Sequence, residues 1–209
     1  MRLTAILLTG MLAASTAQAE DSPAKRLNAL LGKVSSMQAN FTQYTLDPQG
    51  KPLQTLTGLM SVKRPGFFRW DTQQPFTQLI IANGQVVWVY DPELQQATRQ
   101  QLDKQVGNTP ALLLSGDTSK ISATFTIADD KTAPKNVKAF LLKPKDKDAL
   151  FDVMRLAFNK GSQLTSMQMK DSLGQKTDIS FSGIRVNGKI ADTLFQFTPP
   201  KGVDVINEL

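Results

Sequence analysis

Residues 79–90 read LIIANGQVVWVY, two short apolar runs broken by Asn83-Gly84. An Asn-Gly pair between β-rich runs is a strong local signal for a tight hairpin. Working outward, the period is two on both sides. Towards the N-terminus lie VKRPGFFRW (62–70), a run over Leu53–Lys63, and an alternating segment from Met37 that turns at Pro48-Gln49-Gly50. Towards the C-terminus come Leu94–Leu102, Phe125–Ala128, Val137–Lys143, Leu150–Phe158, Leu164–Lys170 and Lys176–Val186, then a turn at Asn187-Gly188. Leu194, Phe195 and Phe197 are expected to form a last short strand. Turns recur about every ten residues with no alternating helices, which favours one domain built on a curved antiparallel sheet.

Two segments break this pattern. Leu27, Leu30, Leu31 and Val34 fall at helical spacing behind Ser22-Pro23, an N-cap followed by an N1 proline. The stretch NTPALLLSGD (108–117) reads as a very short helix begun at Thr109-Pro110 and stopped at Gly116. Its leucines, Leu112, Leu113 and Leu114, cannot form a core alone and are too apolar for water, so they must lie on a larger apolar surface. Two small helical pieces give little area to cover so many strands. The inner face is then either packed on itself, as in a closed barrel, or open to a ligand.

The first nineteen residues, MRLTAILLTGMLAASTAQA, carry one cation (Arg2), an apolar run too short to span a bilayer and an Ala17-Gln18-Ala19 cleavage pattern. We therefore expect a signal peptide over 1–19, a mature domain over 20–209, and a soluble protein of the periplasm. The chain has no cysteine, so neither disulfides nor a lipid-modified N-terminal cysteine are available, and no histidine. Histidine- or cysteine-based zinc sites, Ser-His-Asp triads and Cys-His dyads are excluded, and no phosphate-binding glycine loop occurs. Ser22-x-x-Lys25 is better read as a cap and a solvated lysine than as a nucleophile pair. We expect no enzyme activity, no cofactor and no metal. The formal net charge of +6 is spread rather than striped, which argues against nucleic acid.

In VKRPGFFRW, Met60, Val62 and Arg64 share one face, rejoined by Phe68 and Trp70 beyond the Pro65-Gly66 bend, while Phe67 and Arg69 point the other way. Pattern alone allows two readings: ordinary core with a strand-end cation, or an arginine at an apolar rim whose donors need acceptors such as helix-end carbonyls.

The succession VKRPGFFRW, LIIANGQVVWVYDPELQQAT, GNTPALLLSGD and FTPPKGVDV resembles the LolA family of periplasmic outer-membrane lipoprotein carriers. That resemblance implies a mainly β fold, an unclosed antiparallel β-barrel covered by short helices. It implies an apolar cavity for lipoprotein acyl chains, for which we expect Met60, Val62, Phe68, Trp70, Leu79 and Ile81 as lining. The lid would carry Leu27, Leu30, Leu31, Val34 and Leu112–Leu114, latched by Arg64. The implied partners are lipoproteins, an inner-membrane lipoprotein-releasing ABC transporter and an outer-membrane lipoprotein receptor, with the carrier itself a monomer. A sensing module of the same fold that binds lipid or protein without transport is the alternative.

Overall fold

A computed structural model describes residues 21–102 and 110–208. The expected leader and the start of the lid turn at Asn108-Thr109 lie outside the described residues.

Helix α1 (Pro23–Gly32) opens the described chain, with the Ser22 hydroxyl accepting from the Lys25 amide at 3.3 Å. Six strands follow: β1 (Ser36–Leu46), β2 (Pro52–Lys63), β3 (Phe67–Gln74), β4 (Gln78–Asn83), β5 (Val86–Asp91) and β6 (Gln96–Gln101). After a helical stretch over residues 110–124 come β7 (Phe125–Asp129), β8 (Lys138–Pro144), β9 (Val153–Phe158), β10 (Leu164–Lys170), β11 (Lys176–Val186) and β12 (Asp204–Glu208). All twelve belong to one sheet, in the order β12-β6-β5-β4-β3-β2-β1-β11-β10-β9-β8-β7. Two meanders are thus joined where β1 pairs with β11, and the outermost strands β12 and β7 do not pair. The sheet is curved but unclosed.

The β4–β5 hairpin forms as its sequence demands. Its loop is Gly84-Gln85, with Gly84 at φ +92°, and the Asn83 side chain accepts from the amides of Gln85 and Val86, both at 3.2 Å. Register then sorts the side chains. Met60 faces Trp70 and Val62 faces Phe68 across β2–β3, while Trp70 faces Ile80 and Phe68 faces Ala82 across β3–β4. These residues share the inner face with Met37, Ala39 and Phe41 of β1. From the other meander Phe181, Met167, Leu156, Met154, Phe140 and Leu142 join the same core. Phe41 stacks on Trp70 with ring centroids 3.9 Å apart, and Phe181 meets Trp70 edge-on.

Three expectations need correction. Leu79 and Ile81 lie on the outer face, paired with Asp71 and Arg69 of β3 and with Tyr90 and Trp88 of β5. The inner positions are Ile80 and Ala82. The run LIIA is apolar at every site because both faces are covered here, so alternation could not reveal its phase. Leu194 and Phe195 form no strand but a 3₁₀ turn (Asp192–Phe195). That turn and Phe197 belong to a strap that crosses the outer face. Phe195 packs on Phe67 at 5.6 Å, and Phe197 on Trp88 and Tyr90 at 5.5 and 5.2 Å. The last strand is instead β12, which runs parallel to β6, so the sheet is not wholly antiparallel. Smaller differences lie at strand starts: Leu94 sits in an exposed turn, and β9 begins only at Val153.

On the outer side of β9, Asp130 accepts hydrogen bonds from the Thr132 hydroxyl and from Arg155 Nε, each 2.6 Å long. These donors hold its carboxyl down to about 2 from an ordinary 3.8. A depressed carboxylate stabilises the fold above its unfolded pKa and ceases to do so as pH falls through the folded one. The stability difference between the native chain and Asp130→Asn is therefore expected to stay level from neutral pH to about 5 and to vanish by about 2. Urea unfolding across that range measures it. At Gly58 a Cβ would sit 2.0 Å from the Asp71 carbonyl and 2.7 Å from the Phe41 ring. Gly58→Ala is expected to cost about 3 kcal/mol by forcing β3 away at the Asp71 carbonyl and displacing the Phe41 ring, measured by the urea midpoint.

Candidate functional site

The inner face of the sheet needs a cover, and two elements supply it. The α1 stripe places Leu27, Leu30 and Leu31 in the core with Val34 packed against them. The stretch that reads as a short helix is a 3₁₀ turn over Pro110–Leu114, followed by further short turns over residues 118–124. Leu112, Leu113 and Leu114 are all buried in the same core. Three consecutive buried residues on so tight a turn mean that it is covered on more than one side.

Both cover elements end on Arg64. Its Nε donates to the Leu114 carbonyl at 2.9 Å, and its Nη1 to the carbonyls of Leu31 and of Val34, the latter at 2.8 Å. Leu31 lies in the last turn of α1, where its carbonyl also accepts from the Val34 amide at 3.1 Å, and Leu114 closes the 3₁₀ turn, so Arg64 meets carbonyls at two helix ends. Main-chain bonds continue the seam: the Arg64 amide donates to Ser35 O at 2.9 Å and the Gly66 amide to Ser115 O at 2.8 Å. Burial pulls the guanidinium below its ordinary pKa, yet an arginine remains charged throughout the physiological range. Its hydrogen-bond partners among the described residues are neutral carbonyls.

Gly66 makes this approach possible. Its φ is +79°, its carbonyl accepts from the Gly84 amide at 3.0 Å, and a Cβ would stand 2.9 Å from Gly84 Cα. The β2–β3 bend carrying Arg64 therefore rests directly on the β4–β5 loop. At the other end of α1, Arg26 pairs with Asp129 of β7 and donates to the Asp21 carbonyl.

Beneath α1 little space remains. The void bounded by Leu30, Leu31, Val34, Met37, Val62, Arg64, Leu114, Phe158, Leu164 and Val186 measures about 20 Å³, enough for a water molecule and not for an acyl chain. Of the residues expected as lining, Met60, Val62, Phe68 and Trp70 are brought together under this cover, while Leu79 and Ile81 are on the far side of the sheet. Lining residues not expected from the sequence come from the other meander, where Phe140, Met154, Leu156, Phe158, Met167, Ile179 and Phe181 belong to the same core. Their alternation with Arg155, Gln168 and Ser180 was a usable signal.

Comparison with known proteins agrees with this architecture. The family model described as "Outer membrane lipoprotein carrier protein LolA" matches residues 32–198. A Pseudomonas aeruginosa protein named "Outer-membrane lipoprotein carrier protein" is 49% identical over 211 residues, covering 100% of both chains. A protein of the same name from Azotobacter vinelandii is 45% identical, again over 100% of both chains. Among solved structures, an uncharacterized conserved protein from Thermus thermophilus matches with TM-score 0.59 and 11% identity, covering 88% of this chain and 99% of that one. A LolA superfamily protein from Nitrosomonas europaea matches with TM-score 0.50 and 15% identity, covering 85% and 99%. The structures speak for the fold, and the sequence matches for descent: this chain belongs to the LolA family of outer membrane lipoprotein carrier proteins.

Proposed function

We propose that this chain is a periplasmic carrier that takes up lipoproteins released from the inner membrane, shields their acyl chains against the inner face of its sheet, and hands them to an outer-membrane receptor. One observation carries the reading. A largely apolar sheet face is closed by leucines on two small elements, and one arginine joins both elements through hydrogen bonds to neutral carbonyls. Descent and the names of its relatives point the same way. No helix among the described residues is long and apolar enough to cross a membrane. The mature form in this reading begins at Glu20, after removal of residues 1–19.

The energetics explain why the sheet face beneath α1 carries a cover of its own. Burying an acyl chain is worth roughly 0.8 kcal/mol per CH₂. About forty methylenes would then give about 30 kcal/mol, beyond the roughly 20 kcal/mol ceiling of noncovalent affinity. Such an anchor does not leave a membrane unaided, and a carrier that matched the full sum would never release it. Here Leu112–Leu114 and the α1 stripe occupy the sheet face first. Cargo must displace them and break the Arg64 bonds, so much of the gross gain is offset and onward transfer stays possible. The cover also keeps a large apolar patch from water in the empty carrier.

The reading assigns the chain no reaction of its own. Extraction is driven by an ATP-consuming transporter of the inner membrane, and a receptor at the outer membrane accepts the cargo. Within it, Met60, Val62, Phe68 and Trp70 contact acyl chains, and Arg64 is the latch. Ile80 and Ala82 take the places expected for Leu79 and Ile81.

Two measurements test this. The Glu20–Leu209 protein added to energised spheroplasts is expected to bring lipoproteins into the supernatant, bound to it, only when ATP is present. Absence of release, with a transporter competent for this carrier, overturns the transport role and leaves a sensing module. For the latch, Arg64→Leu removes three bonds from a charged donor, where even one is worth roughly a tenfold shift in equilibrium. Binding of an apolar fluorescent dye to the empty protein is expected to rise by about fivefold or more. Arg64→Lys, a single compact donor, is expected to fall between the two. Unchanged dye binding in Arg64→Leu counts against the latch.

A further inference from the structure

A lid that opens needs a fixed end as well as a latch, and the strap that leaves β11 supplies a residue placed for it. Asn187, the first residue after β11, is held at φ +58°. Its Oδ1 accepts from the Ser35 amide at 2.8 Å and from the Ser35 hydroxyl at 3.1 Å, and its Nδ2 donates to the Lys33 carbonyl at 3.0 Å. Its own amide donates to Ser36 O at 2.8 Å, and the Ser36 hydroxyl donates to Gly188 O at 2.7 Å. Every one of these bonds falls within residues 33–36, the segment that joins α1 to β1. Left-handed backbone at Asn187 is what turns its amide back onto that segment, and asparagine is among the few side chains that tolerate it.

We propose that Asn187 is the pin about which α1 swings, a positioning residue for loading that acts on the lid and not on cargo. The two sets of bonds meet at the linker, where Arg64 also donates from Nη1 to Val34 O at 2.8 Å and from its amide to Ser35 O at 2.9 Å, and they differ at the lid itself. Arg64 grips carbonyls of the lid itself, Leu31 and Leu114, from the β2–β3 bend; those separate when α1 lifts. Asn187 grips the chain beyond the α1 terminus, between Lys33 and Ser36, from the end of β11, a strand paired along its length with β1. Nothing in that attachment has to change when the helix rotates away. Arg64 therefore sets whether the lid is closed, and Asn187 sets where it goes when it is not, and to what position it returns. The inference rests on the carrier reading for its purpose but on hydrogen bonds alone for its test.

The Ser35 amide reports the pin directly, because its acceptor is the Asn187 side chain. Hydrogen exchange followed by NMR is expected to show this amide protected in the native protein and, within about threefold, equally protected in Arg64→Leu, where the α1 amides exchange faster. Asn187→Gly, which keeps the left-handed backbone and removes only the side chain, is expected to lose about tenfold or more of that protection while the β9–β11 amides stay unchanged. Asn187→Asp keeps the acceptor and is expected to restore it. Protection at Ser35 that disappears with the α1 amides in Arg64→Leu would show the bond opening with the lid, and would overturn the proposal. So would unaltered protection in Asn187→Gly. If the α1 amides of Arg64→Leu are no faster than native, the latch reading fails by itself, and the Asn187 comparison still decides the pin.

Discussion

A partly buried guanidinium with carbonyls for partners is the constraint on which the closed form depends. Arg64 sits where two unrelated segments terminate, and each leaves main-chain acceptors that need a donor. One side chain with five donors in a fixed plane meets the need at both termini together. The choice of neutral acceptors has a further effect. A carboxylate partner would make the closure titrate with pH and bind far more tightly once desolvated. Carbonyls give an attachment that is insensitive to pH and modest in strength, which suits an element that must open repeatedly.

The sheet around it is asymmetric in how its faces are sealed. The inner face is covered by small pieces, α1 and the 3₁₀ turn, each too short to be stable without the sheet. The outer face of β3–β5 is covered by the strap over residues 189–203, fixed by tilted ring contacts and by Lys63, which pairs with Asp192. The same sheet is thus closed permanently on one side and provisionally on the other. Gly58 and Gly66 lie where this double cover leaves least room, one against the Phe41 ring and one against the neighbouring loop.

What could be read in advance follows from how local each signal is. The hairpin at Asn83-Gly84, the capped helix at Ser22-Pro23 and the alternation of Met60, Val62, Phe68 and Trp70 are set by neighbours within a few residues, and they stand as read. The phase of LIIA was not legible, because a strand buried on both faces has no polar residue to mark its sides. Strand β12 was not legible either. Its residues are exposed along their length, and only a parallel partner more than a hundred positions away, β6, makes them a strand. Phe195 and Phe197 do pack against the sheet without belonging to it, since aromatic residues on a strap and on a strand look alike in sequence. The acceptors of Arg64 lie in turns whose ends no pattern fixes.

The parallel pairing of β12 with β6 bears on how the molecule is made. A chain grows from its N-terminus, so β6 exists long before residues 204–208 do. Through all that time its outer edge offers unpaired amides and carbonyls to any extended segment nearby, and Phe67, Trp88 and Tyr90 lack the strap that covers them. Neither defect can be repaired locally, because both wait for the same distant stretch of polypeptide. Completion of the sheet is in this way a check on the length of chain delivered: a molecule cut short before residue 204 keeps an adhesive edge, and is marked by it as unfinished.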